Sequence, residues 1–291
     1  MSEAAKQESE STQLASRRFV IKPQSGMAAL NLRDLWLFRE LIFFLTWRDI
    51  KVRYKQTLLG AGWAILQPVL QMLVFNVLFG DLAGLSSGGI PRPVFTYAAL
   101  LPWNLFSTAI SDAGRSLVSN RNMITKVYFP RLIVPLSSIL SGVVDFAIAF
   151  LILIAMMIYY GIAPTAALWT LPLYLILSLT TALGVGLWLS ALNVHYRDIR
   201  YLIPFLTQFW MLATPIAYLS SEVFNRLPDN LEWLYALNPM VGVIEGFRNA
   251  LLGTEIYSTN VLWISVAVAV TLLVSGLFYF RRMERTFADT V

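Results

Sequence analysis

Long apolar runs alternate with short basic ones along this chain, and the first informative stretch joins the two. Within residues 43–55, Phe43, Trp47, Ile50 and Tyr54 recur at helical spacing. Arg48, Lys51 and Lys55 fall on another face, with Asp49 and Arg53 between them. A helix of this pattern lies in a membrane surface, rings at the acyl boundary and cations on the anionic headgroups. Directly after it, residues 58–78 contain no charge. The pattern predicts an interfacial helix leading into a first membrane span from the positively charged, cytoplasmic side.

Six apolar runs, 60–82, 94–116, 132–160, 168–194, 201–219 and 260–280, are each about long enough for a hydrocarbon core of roughly 30 Å. The segment 220–259 interrupts the series. Its apolar part, 240–252, carries Glu245 and Arg248 and is too short to cross. Asn238-Pro239 supplies a cap and a first-turn proline, and Gly253 a stop, so a helix that enters the outer leaflet and returns is expected. Glu245 and Arg248, three residues apart on that helix, can pair locally and read as mainly structural.

Charge supports the even count. With six spans and a cytoplasmic N-terminus, all of the 22 Lys and Arg residues except Arg92, Arg226 and Arg248 fall on the cytoplasmic side. A seventh span would put Arg281, Arg282 and Arg285 on the wrong face. The expected fold is therefore an all-α integral membrane protein with six transmembrane helices, an amphipathic interfacial helix and re-entrant outer-leaflet helices before the last span. Residues 1–29, rich in Ser, Glu and Gln and lacking the apolar core of a signal peptide, read as a flexible cytoplasmic tail. The interfacial helix occupies 30–57, the transmembrane domain 58–280 with its re-entrant region near 220–259, and a second cytoplasmic tail 281–291.

Composition agrees: 57% of residues are hydrophobic, only 13% are charged, and the mean hydropathy is +0.63. A soluble domain carries about 25% charge. The net charge of +5 is explained by topology, and no nucleic-acid partner is expected. The absence of cysteine excludes disulfides, thiolate metal sites and a cysteine nucleophile. No phosphate-binding loop of the form G-x-x-x-x-G-K-[ST] occurs, so any ATP must be bound by another chain. The clusters Gly60-Ala61-Gly62 and Gly184-Val185-Gly186 lie inside spans, where small residues let helices approach closely. His195 is the sole histidine; no metal-ligand spacing forms around it, and it reads as a polar residue at a helix end. No catalytic residue and no metal site is expected.

Two groups of residues suit contact. The connection 118–131 mixes Arg121 and Lys126 with Met123, Ile124, Val127, Tyr128 and Phe129, more apolar side chains than a solvated loop has reason to carry. It reads as a short helix that docks into a groove on a cytoplasmic partner. Along the first and fifth spans, Trp63, Phe75, Phe79, Phe205, Phe209, Trp210 and Tyr218 are interspersed with Gln67, Gln71, Asn76 and Gln208. Rings stack on the C–H faces of sugars and amides bond hydroxyls, so this pattern suits a path for glycans. Asp145, near the middle of the third span, is expected to face the bundle and bond a neighbour.

These features, in their order, resemble the permeases of the ABC-2 type, and within them the branch that exports lipid-linked polysaccharides such as O-antigen, capsule or teichoic acid. The resemblance runs over 32–280. It is carried by Trp47 to Gly60 with Trp63 and Gln67-Pro68, by Pro102-Trp103, and by the loop Asn120 to Pro130. Further on come Asn193-Val194-His195-Tyr196-Arg197-Asp198-Ile199, and Leu237-Asn238-Pro239-Met240 with Glu245-Gly246-Phe247-Arg248. It implies a homodimer bound to two copies of a cytoplasmic ATP-binding cassette subunit, which holds the ATP and Mg while this chain binds no cofactor. Arg48, Lys51 and Arg53 of the surface helix, with the Asn120 to Pro130 loop, would meet that ATPase. The first and fifth spans would line a channel for a lipid-linked polysaccharide, in a bacterial inner membrane with both termini cytoplasmic. Two other readings stand beside this one. The same fold moving drugs or lipids would need fewer amides in its path. A membrane-embedded transferase acting on lipid-linked sugars would have to work with His195 and Asp198 beside Arg197 and Arg200.

Overall fold

The computed structural model describes residues 32–55, 60, 62–224, 232–254 and 259–287. The expected tail at 1–29, the junction at 56–59 and Arg226 lie outside them. Contacts divide the chain into residues 1–33, of which only the start of the first helix is described, and residues 34–291.

All regular structure among the described residues is helical. Two helices, α1 (Leu32–Leu37) and α2 (Arg39–Lys55), precede α3 (Gly62–Phe75), which continues as a π-helix over Asn76–Leu82. Then come α4 (Arg92–Ser119), the short α5 (Arg121–Lys126), α6 (Ile133–Tyr159) and α7 (Leu171–His195), the last entered through a 3-10 turn, Ala166–Thr170. The remainder is α8 (Ile199–Leu212), α9 (Ser220–Phe224), α10 (Glu232–Ala236), α11 (Pro239–Leu252) and α12 (Thr259–Met283).

Among the described residues, four stretches are long and apolar enough to cross a membrane: Gly62–Leu82, Ile133–Tyr159, Ala166–His195 and Thr259–Met283. With 28 residues, α4 has the length but mixes its apolar positions with Asn104, Ser107, Thr108, Asp112 and Arg115. The fifth run is helical for only 14 residues, about 21 Å. It stops at Leu212, where Pro215 removes a backbone donor and disfavours helix at the residue before it.

Among the described residues the core forms two large clusters and a small third one of Ala236, Val241 and Val261. One cluster runs through the middle of the bundle, from Tyr97 and Phe106 of α4 through Leu153 of α6 to Met240 and Phe247 of α11. A second ties one end together: Leu45 of α2, Leu117 of α4, Ile133 of α6, Val194 of α7 and Phe280 of α12. The end of α4, the start of α6 and the ends of α7 and α12 thus share that end, so α4, α6 and α7 alternate in direction and α12 runs parallel to α7. Small residues permit the tightest crossing. A Cβ on Gly184 would stand 2.6 Å from the backbone carbon of Leu272, so α7 and α12 touch backbone to backbone there.

The helix expected after Asn238 forms with the caps its sequence specifies. The Asn238 side chain accepts from the Met240 amide at 3.0 Å, Pro239 opens the first turn, and Gly253 closes it in the left-handed conformation at φ 70°.

Candidate functional site

On α2 the arginines and lysines part company. Leu45 is buried against the bundle, and Thr46 sits 3.5 Å from the Ser137 carbonyl of α6. Arg48 reaches sideways to Asp49 and to Asn120 Oδ1, both at 2.8 Å. Arg53 turns inward and is partly buried. It donates to Asp112 of α4 at 2.6 Å, to Ser141 Oγ at 3.3 Å, and to Asp145 of α6, whose other oxygen accepts from the Tyr54 hydroxyl. Lys51 and Lys55 stay exposed, Lys51 over the Trp47 ring. The division follows chemistry: a planar guanidinium bridges several acceptors, while a flexible ammonium remains hydrated.

Burial works against the Arg53 charge, but Asp112 and Asp145 outweigh it, and its pKa is raised above the ordinary arginine value. Burial also raises the Tyr54 pKa, reinforced by its bond to Asp145, so Tyr54 stays a donor. This cluster floors a cavity of about 330 Å³ between α2, α3, α4 and α6. Trp63 and Gln67 of α3 line it from one side, Asn104 and Thr108 of α4 from the other. Asn104 Nδ2 donates to Gln71 Oε1 at 2.9 Å, which fixes the amide beside the cavity. A ring, amides, a hydroxyl and two carboxylates around one hollow provide both a stacking surface and hydroxyl partners. Asp145 was legible as an ionisable residue within a span. Asp112 carries the same signal, but only its approach to Arg53 brings it into the site.

At the opposite end, Arg248 of α11 does not pair with Glu245 as its spacing suggests. It is only 2% exposed and points its guanidinium at backbone carbonyls: Pro215 at 2.8 Å, Phe95 at 3.2 Å, Tyr218 at 3.3 Å, and Ile216. Its carbon also lies 3.6 Å from the centre of the Phe95 ring. The physical reason is the irregular backbone at 213–219. That segment leaves carbonyls without helical partners, and buried carbonyls must be satisfied. Arg92 adds a bond to Ala217 O at 3.3 Å.

The residues expected along the path separate into groups. Trp63, 51% exposed, and Gln67 belong to the cavity, with Gln71 beside it. Phe75 and Phe79 meet at a tilt further along, ring centres 5.4 Å apart, and the Asn76 amide oxygen is buried without a hydrogen-bond partner. Phe205 and Phe209 touch, ring centres 4.3 Å apart, and with Gln208 they form an exposed face on α8. Trp210 and Tyr218 turn the other way. The Trp210 ring meets Phe106 edge-on and its nitrogen donates to Asn238 Oδ1 at 2.8 Å, while Tyr218 lies beside Tyr235 and the Arg248 cage.

The connection 118–131 also divides. Arg121, Lys126, Val127 and Tyr128 are exposed, Tyr128 by 78%, with Met123 partly so. Ile124 and Phe129 are buried in the end cluster, which explains part of the apolar content that read as docking surface. His195 closes α7, with Nδ1 3.3 Å from the Ala191 carbonyl and Nε2 3.3 Å from Thr286 Oγ1. Among the described residues, no three His, Cys, Asp or Glu side chains gather as metal ligands.

Comparison with known proteins places this arrangement. The family model described as ABC-2 type transporter matches residues 40–252. An O-antigen export system permease protein RfbA from Myxococcus xanthus is 30% identical over 260 residues, covering 89% of this chain and 98% of the relative. A protein of the same name from Klebsiella pneumoniae is 28% identical, covering 86% and 94%. The polysialic acid transport protein KpsM of Escherichia coli is 25% identical, covering 81% and 91%. The matched segment contains the surface helix, the cavity, the α5 connection and the Arg248 cage, and this integral membrane protein belongs to the ABC-2 type transporter family.

Proposed function

We propose that this chain is the permease subunit of an ATP-driven exporter that carries a lipid-linked polysaccharide, O-antigen before others, across the bacterial inner membrane. The observation that carries this reading is the exposure of the ring-and-amide faces of α3 and α8 on a single chain. Trp63 and Gln67 stand open on one helix and Phe205, Gln208 and Phe209 on the other. A second copy would cover these faces and enclose a path between them. The names of the relatives, O-antigen export and polysialic acid transport, support the substrate class.

In this reading α3, α4, α6, α7, α8 with residues 213–219, and α12 make six crossings, and α11 is re-entrant on the outer side. Both termini are cytoplasmic, because that orientation keeps nearly all the cations inside. Two copies of a separate ATP-binding cassette subunit bind ATP and Mg and hydrolyse the ATP; this chain holds no cofactor. The partner docks on Arg121, Lys126, Val127 and Tyr128 and on the outer side of α2, where Lys51 is free and Arg48 is tied to α5 through Asn120. When the partner moves α2, Arg53 passes the displacement to α4 and α6 through Asp112 and Asp145, at the wall of the cavity.

The test is export in cells from which this chain has been deleted. Surface polysaccharide should vanish and lipid-linked polymer accumulate inside, and the wild-type chain should restore display. Glu at Phe209 should restore the protein level but not display. Full display with Phe209→Glu would overturn the assignment of the α8 face to the path.

A further inference from the structure

A second hollow, unrelated to the cavity above, opens between α7 and α12. Its volume is about 820 Å³. The close crossing of Gly184 with Leu272 and Gly276 braces the two helices beside it. Trp188 of α7 and Tyr279 of α12 lie flat on each other, ring centres 4.2 Å apart at 13°, and Trp188 Nε1 donates to Ser275 Oγ at 3.2 Å. Val270, Val274 and Phe278 form an exposed apolar wall. At the end of the groove stands Arg282, exposed and without a hydrogen bond or ion pair to any described residue. Its neighbour Arg281 is paired with Glu284 at 2.9 Å.

Arg282 follows the apolar part of the last span, so it lies at headgroup depth whichever way the helix is oriented. An apolar groove running from Val270 to Met283, with one unpaired guanidinium at headgroup depth, is complementary to a chain-bearing phosphate. A zwitterionic lipid would bring its own cation against the arginine; an anionic one would not. We propose that the α7–α12 groove binds one anionic phospholipid per chain, its phosphate on Arg282 and an acyl chain along Val270, Val274 and Phe278. The site is separate from the export reading and stands or falls alone.

Native mass spectrometry of the purified protein in mixed micelles with equal phosphatidylglycerol and phosphatidylcholine tests it. The wild type should retain one phosphatidylglycerol per chain, preferred about fivefold, the worth of one cation near an anionic lipid. Arg282→Gln should bring the preference close to unity. Val274→Trp, an exposed position that fills the groove, should release both lipids with the oligomeric state unchanged. Undiminished preference in Arg282→Gln, or undiminished retention in Val274→Trp, would overturn the proposal.

Discussion

Arg53 on the surface helix and Asp145 in the middle of α6 are bonded to each other across 92 positions of chain. Asp112 completes the grip from α4. The surface helix is also held by its apolar stripe around Leu45 and by the bond from Arg48 to Asn120. The bridge ties it to two long helices at a fixed point, beside the cavity that Trp63 and Gln67 line.

Asp145→Ala should cost about 1.5–3 kcal/mol, the range for a hydrogen bond to a charged group. Asp145→Asn should cost less, because an amide oxygen still accepts from Arg53 or Tyr54. Thermal unfolding in detergent checks the order: Ala below Asn, and Asn below wild type. Tyr54→Phe, which removes one donor and leaves the arginine in place, should fall between Asn and wild type.

Arg248 makes a sharper case because it is fully enclosed. Arg248→Ala strands the carbonyls of Pro215, Ile216 and Tyr218, each at about 1–3 kcal/mol if left unpaired. Little folded protein should reach the membrane. Arg248→Lys should fare nearly as badly, since one ammonium cannot span the same acceptors. Glu245→Gln should be tolerated, because Glu245 forms no ion pair with Arg248. Membrane yield and melting temperature of the three variants decide between the cage and a local pair.

The α5 connection predicts a division between fold and docking. Ile124→Asp and Phe129→Asp bury a charge in the end cluster and should unfold the chain. Arg121→Glu, Lys126→Glu and Tyr128→Ala alter only exposed groups and should leave its melting curve within about 0.5 kcal/mol of wild type. Size-exclusion profiles and melting curves separate the two sets.

Close helix crossing gives one more expectation. Gly184→Val drives a side chain into the backbone of Leu272, and overpacking of this kind costs about 1–3 kcal/mol. Its melting temperature should drop, while Gly161→Ala, which meets nothing within 4 Å, should show only the smaller cost of its left-handed backbone.

Much of this was legible from pattern alone where a residue acts locally. Asn238, Pro239 and Gly253 set the ends of α11 through their own backbone bonds, and the basic helix and the long apolar helices follow from periodicity. The end of α8 was also written in the chain, in Pro215, though the apolar run to 219 hides it. What the sequence does not display is which cation meets which acceptor across space. Spacing brings Glu245 close to Arg248, yet the carbonyls of Pro215, Ile216 and Tyr218 win the arginine because the irregular backbone there leaves them without helical partners. Arg53 looks like its exposed neighbours Lys51 and Lys55 until Asp112 and Asp145 are seen beside it. Ile124 and Phe129 likewise read as docking surface until the end cluster is assembled around them.

A chain that works as the membrane half of an ATP-driven exporter should keep its ATPase through purification from native membranes in mild detergent, where stoichiometric partners and ATP hydrolysis are both measured. An ATP-binding subunit at one-to-one, with ATPase activity, is expected, and both should be lost in the Arg121→Glu, Lys126→Glu double variant while the chain itself stays folded. A folded chain that purifies alone, without ATPase activity, under conditions that preserve other transporter complexes would contradict the exporter reading.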